Sequence, residues 1–425
     1  MIDPGTRPAV EGWRAAVPWG SDRYSHRSLA ALFRRLSTGF EDGGERDGLL
    51  RLRTPVTVIP SGPGSVIYRS FVEDYAAFLE RETGIAVAVA DERSEGGSDD
   101  NPDGGALYLA FVRTGAGLIP PGVRCLHLPG NVNWPSFEDA PARTISDARR
   151  AAGPIEAATV FIPAKLEPAA IRACILEEIP QAMGLGNDAP LVAPTIFNDD
   201  GAHLWPTRLD LTMLRVLYAP EVTPEASPSV VEAQAIDALS RMGTRDPDAR
   251  PLPLTSARIS ERFNRAWKAF MRDGGGRPDS LLNSRPTAGP EAALARCTAG
   301  ITLLRAWRSP AAEDIAAVED DCREADADGL TEGVLLGPRV LRLALLRTEA
   351  LMAEGRPSDA LALLEEASAG LAALGSDAGL ARAWGLRSAA LRDMGRDDAV
   401  ARTTAAAWAR YAFGAGRPVD GALGE

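Results

Sequence analysis

Histidine is the scarcest chemically useful residue in this chain, with only His26, His127 and His203 among 425 residues. A conventional zinc peptidase takes two imidazoles from one helix, and no stretch here supplies them. Lysine is almost as rare: Lys165 and Lys268 are the only two, so arginine carries nearly all the positive charge. The net charge of −12 leaves no basic stripe to replace phosphate counterions, which argues against a nucleic-acid partner. No apolar run approaches the length of about 20 residues that spans a bilayer, so no membrane span is expected. The opening residues, MIDPGTRPAVEGWRAAVPWG, lack the apolar centre of a signal peptide. No GxSxG elbow, Walker loop or dinucleotide fingerprint is present.

What the chain does have is length and apolar content. Its 425 residues allow two or three domains, and 45% hydrophobic residues suffice for real cores. The four cysteines divide evenly. Cys125 and Cys174 lie in the first half, Cys297 and Cys322 in the second, an arrangement suited to one disulfide per domain. Cys297 and Cys322 are also equidistant from an Arg308-Ser309-Pro310 turn, so an antiparallel helix pair would set them opposite each other. Four buried thiols are the alternative. Disulfides favour a periplasmic or otherwise exported protein whose leader is not part of this sequence; free thiols favour the cytoplasm.

Chemistry concentrates between Ala173 and Tyr218, in ACILEEIPQAMGLGNDAP, TIFNDD and LDLTMLRVLY. At 100° per residue, Ile171, Cys174, Ile175, Glu178, Ala182 and Leu185 share one helix face, which puts a carboxylate inside an apolar stripe. Pro180 falls on the opposite side, where exposure is expected, although an interior proline costs about 3 kcal/mol. Laid on the extended zinc-peptidase frame, Glu177 takes the first histidine position and Glu178 that of the general base. Gln181 takes the second histidine position, Gly184 the turn and Asn187 the third ligand. Spacing survives, while the imidazoles are replaced by groups that hold zinc poorly.

This run, with RYSHRSLAALFRRLSTGFE and PVTVIPSGPGS before it, resembles the bacterial domain-of-unknown-function family 2927 over about residues 20–225. The family pattern has a histidine directly before two acids, a glutamine, a Gly-x-x-Asn-Asp turn and an FNDD box. Here Leu176 stands at the histidine position, Gln181 at the glutamine, Gly184 and Asn187-Asp188 in the turn, and Phe197 to Asp200 form the box. The resemblance implies a divergent zincin-like α/β domain, usually exported and sometimes followed by helical repeats.

Taken in order, residues 1–22 read as a flexible tail and 23–225 as the degenerate zincin-like α/β domain. Residues 226–289 read as a helical connector and linker, 290–415 as helical hairpins, and 416–425 as a second tail. Within the first domain, helices are expected over Ser25–Phe40 and Val66–Glu82, the latter ended by Gly84. Strands are expected at Val56, Ile85, Ala106, Val123 and Ala158. In the last, MAEGRPSDALALL is echoed by DMGRDDAVARTT. Such turns resemble those of tetratricopeptide repeats, although their interval exceeds the usual length of about 34 residues. The expected fold class is thus a zincin-like α/β domain followed by an all-α, tetratricopeptide-like array.

Three functions fit. The first is a peptidase-derived module without catalysis or cofactor, joined to helical hairpins that take a protein or peptide partner. The second is a divergent hydrolase in which Glu178, with Glu177 and Gln181 beside it, is the catalytic candidate. The third is a cytoplasmic helical adaptor. Asp199, Asp200 and His203 are candidates for a hard metal ion, against which stands the usual use of Asn and Asp in turns. His127 lies in a strand pattern, where a hydrogen-bonded core or surface residue is expected rather than a metal ligand.

Overall fold

The computed structural model describes residues 24–39, 45–90, 104–113, 125–139, 144, 152–166, 168–189, 195–198, 206–243, 296–297, 300, 312–327, 337–373, 377–396 and 398–413. Residues 244–289 of the expected connector and linker, and both tails, lie outside these residues. So does the Arg308-Ser309-Pro310 turn.

The first region opens with α1, His26–Thr38. Ser25 caps it by accepting a hydrogen bond from the Ser28 N–H at 3.2 Å, and Leu29, Leu32, Phe33 and Leu36 are buried on one face. There follow β1 (Leu50–Leu52), β2 (Val56–Ser61), α2 (Ser65–Thr83), β3 (Val87–Val89), β4 (Gly105–Val112), β5 (Leu126–Pro129), α3 (Trp134–Asp139), β6 (Gly153–Ile155) and β7 (Ala157–Pro163). Then come α4 (Pro168–Met183), a 3-10 turn at Ile196–Asn198, α5 (Arg208–Leu217) and α6 (Pro228–Arg241). Gly84 ends α2 as its sequence predicts, in the left-handed conformation at φ 76°.

Strands β3, β2, β4, β7 and β5 form one sheet in that order. All neighbours are parallel except β5, which runs antiparallel to β7. Strands β1 and β6 make a separate parallel pair of three residues each. Such short strands carry too few residues for alternation to reveal them, which is why the sequence does not show them.

The central strands show why both faces matter. On β4, Leu107, Leu109 and Phe111 are buried and alternate with half-buried Ala106, Tyr108 and Ala110. The buried set joins Val56, Val58, Val160 and Ile162 in a core covered by α1, α2, α4, α5 and α6. Val231, Ala235, Ala238 and Leu239 belong to this core, so it continues to Leu239 on α6. The opposite face holds a smaller cluster in which Phe137 of α3 meets Phe161 with ring centroids 5.5 Å apart.

The second region is helical: α7 (Ala312–Ala327), α8 (Gly337–Ala353), α9 (Pro357–Ala373), α10 (Asp377–Asp393) and α11 (Ala399–Phe413). The echoed turns have identical bonding. Gly355 and Gly395 are left-handed at φ 73° and 69°, and each following arginine N–H reaches back to a leucine carbonyl, Leu351 or Leu391, at 2.8 Å. Both are Schellman endings, which satisfy carbonyls that the helix end would otherwise leave bare. The cysteines pair as one disulfide per region, Cys125–Cys174 and Cys297–Cys322.

Candidate functional site

Helix α4 carries the suspected motif and is buried nearly all round, with only Ala170, Arg172, Ala173 and Glu177 half-buried among its described side chains. The face expected from periodicity is buried as a set: Ile171, Cys174, Ile175, Glu178, Ala182 and Leu185. The expected exposure of Pro180 is wrong, because this residue is buried as well. The strand β1 closes over that end of the helix, and its Leu50 carbonyl would lie 2.2 Å from a Cβ at Gly184. Burial makes the missing N–H of Pro180 costly, since the Leu176 carbonyl then has no helical donor. Tyr75, fully buried on α2, supplies one: its hydroxyl donates to the Leu176 carbonyl at 2.9 Å.

The residues that the zinc-peptidase frame sets at ligand positions have partners inside the fold. The Gln181 amide donates to Asp188 Oδ1 at 2.8 Å, and the Asn187 amide donates to the Arg35 carbonyl at 2.9 Å. The backbone follows the same path, with Asn187 N–H donating to the Leu36 carbonyl and the Arg35 guanidinium to the Asp188 carbonyl, both at 3.1 Å. The turn after α4 is therefore stapled to the end of α1. Glu177 is half-buried beside Glu178. Neutral amide oxygens hold zinc far more weakly than the imidazole, thiolate and carboxylate ligands it is usually given, so Gln181 and Asn187 do not fit that ion. Among the described residues, no three His, Cys, Asp or Glu side chains gather as a metal site. Asp199, Asp200 and His203 lie outside the described residues.

Glu178 has a partner that sequence spacing did not assign. His127, on the edge strand β5, places Nδ1 2.8 Å from Glu178 Oε2. The register explains the meeting: His127 lies opposite Val160, a core residue, so its side chain points to the face that α4 covers. The carboxylate is the more enclosed member, with 8% of its side chain exposed against 20% for the imidazole. A Cβ at Gly186 would approach His127 Nε2 to 2.9 Å, so a glycine in the turn leaves room for the ring. Such a pair orients an imidazole and can relay a proton through its outer nitrogen. The signal in the sequence was the two spacings, Cys125-x-His127 and Cys174-x₃-Glu178, which join once the cysteines are bonded.

Thr195 and Ile196, just before the FNDD box, are held by Asp210, a residue that sequence reasoning passed over. Asp210 is buried in the first turn of α5, where it forms a capping box with Thr207. Its carboxylate also accepts from the Thr195 hydroxyl and, at 3.3 Å, from the Ile196 N–H. One side chain thereby ties both ends of the segment from Thr195 to Thr207. Burial pushes its carboxyl up to about 6, against the lowering effect of the bonds from Thr195, Thr207 and Ile196.

These features define an α/β domain of mixed sheet in which one helix, one edge strand and one turn converge on a buried acid. Residues 26–235 match the model of the family described as "Protein of unknown function (DUF2927)". No curated protein and no solved structure matches the chain.

Proposed function

We propose that the chain is an exported, peptidase-derived module that has given up metal hydrolysis and serves in binding or assembly, with its helical hairpins taking a protein or peptide partner. One observation carries this reading: Gln181 and Asn187, at positions where a zincin presents imidazoles, can offer only neutral amide oxygens, and their NH2 groups are turned to Asp188 and Arg35. The zincin descent is supported by a single antiparallel edge strand beside the helix with the paired acids. Kinship of the second region with tetratricopeptide arrays is supported by its two Schellman-ended helices at echoed sequences. Export is supported by two disulfides, since thiols stay reduced in most cytoplasms.

Zinc titration tests the proposal. After equimolar addition and gel filtration, elemental analysis is expected to find far less than one zinc per chain, and no peptide hydrolysis is expected. A second reading, hydrolysis with Glu178 as general acid or base, rests on the His127–Glu178 pair. Stoichiometric zinc, or peptide hydrolysis abolished by Glu178→Gln, would replace the first reading by the second.

A further inference from the structure

The strand β5 and the helix α4 are joined twice. Cys125 and Cys174 form one link, with Cα atoms 5.9 Å apart, and His127 and Glu178 form the other at 2.8 Å. The spacings make the links parallel. Residues two apart on a strand point to the same face, so Cys125 and His127 both reach toward α4. Residues four apart on a helix also share a face, so Cys174 and Glu178 both reach back. The covalent rung and the polar rung are therefore consecutive crosspieces between the same two elements.

The strand that carries His127 is poorly placed to hold the ring by itself. It has four residues, and among the described residues it pairs only with β7. The helix side is rigid by comparison, since Glu178 sits in a buried turn between Ile175 and Ala182. The tolerance on the far side is small, because His127 Nε2 faces the backbone of Gly186. A bond at Cys125 fixes the register and distance of β5 immediately before the histidine. We propose that the Cys125–Cys174 disulfide is the positioning element of the His127–Glu178 pair, so that the pair is assembled in the oxidised protein and released when a dithiol reduces this bond to two thiols and is itself oxidised to a disulfide. Neither the binding reading nor the hydrolytic one is needed for this, and a zinc result leaves it untouched.

Positioning has a signature that general loss of stability lacks. When Nδ1 of the neutral ring donates to the carboxylate, the imidazole is held as the Nδ1–H tautomer with Nε2 left as acceptor, a state read from ring ¹⁵N shifts. With three histidines in the chain, ¹⁵N-histidine labelling and a His127→Gln variant identify the signal. In the full chain, Cys125→Ala/Cys174→Ala is expected to return His127 to the tautomer average of a free imidazole. Cys297→Ala/Cys322→Ala is expected to leave it fixed. A fixed signature in the first variant, or its equal loss in both, overturns the proposal.

Linkage supplies the reverse experiment, which does not depend on folding without the disulfide. If the bond favours the pair, the pair must favour the bond by the same factor. Removing the acceptor with Glu178→Leu is expected to shift the thiol–disulfide equilibrium of Cys125–Cys174 toward the thiols by about fivefold, the equivalent of one buried hydrogen bond. Alkylation and mass spectrometry across a dithiothreitol series read both disulfides together. Cys297–Cys322 is expected not to move, and an unchanged Cys125–Cys174 equilibrium refutes the positioning role.

Discussion

The hydroxyl of Tyr75 donates a 2.9 Å hydrogen bond to the carbonyl of Leu176, the acceptor that Pro180 leaves without its helical donor. Two elements far apart in sequence thus repair one another's defect: α2 supplies a hydroxyl and α4 supplies a bare carbonyl. Tyr75→Phe is expected to destabilise the domain by about 1–3 kcal/mol, since it leaves that carbonyl buried and unpaired. Pro180→Ala restores an N–H at the right place. In a double-mutant cycle read by urea denaturation, the Tyr75→Phe loss should shrink in the Pro180→Ala background. Additive losses would show that the hydroxyl is not serving that carbonyl.

Two glycines should differ sharply when replaced by alanine. Gly184 sits at φ 138° with the Leu50 carbonyl 2.2 Å from any Cβ, whereas Gly84 sits at φ 76° with nothing within 4 Å. Gly84→Ala is expected to cost about 1–2 kcal/mol, the ordinary penalty of a left-handed residue. Gly184→Ala adds a backbone collision that only movement of β1 relieves. Its midpoint of chemical denaturation should therefore fall well below that of Gly84→Ala.

Asp210 gives a pH dependence with a definite sign. Burial raises its carboxyl to about 6, above the unfolded value of about 3.9. The folded state therefore binds the proton more tightly. Its contribution is fully present below about pH 3.9 and is lost as pH rises through about 6, a change of up to about 3 kcal/mol. Asp210→Asn removes the titration and also weakens the bonds to Thr195 and Thr207. Denaturation midpoints from pH 4 to 7 are expected to show wild type losing stability relative to the variant as pH rises. A constant difference would refute the assignment.

Both disulfides should be intact in protein isolated from its own compartment. Thiol titration after denaturation without reductant is expected to find none of the four cysteines free. The bonds close segments of 49 and 25 residues, so removing either by paired alanine substitution should cost about 3–4 kcal/mol on chain-entropy grounds. Four titratable thiols would count against export.

The sequence by itself determined the elements whose period is long enough to repeat. Leu29, Leu32, Phe33 and Leu36 declared α1, the Ile171–Leu185 stripe declared α4, and the echoed Gly-Arg turns declared the hairpins. It also suggested one disulfide per region, with four buried thiols as the alternative, and it showed Glu177, Gln181 and Asn187 where the zinc-peptidase frame would set imidazoles. Periodicity depends on neighbours along one chain, so it tells which face is apolar but not what covers the other. Tertiary structure alone decided that Pro180 is buried and that Tyr75 answers for its missing N–H. It alone set His127 against Glu178 and brought Asp210 to both Thr195 and Thr207. Each of these joins residues from different elements, through strand register and helix packing that act across space rather than along the chain.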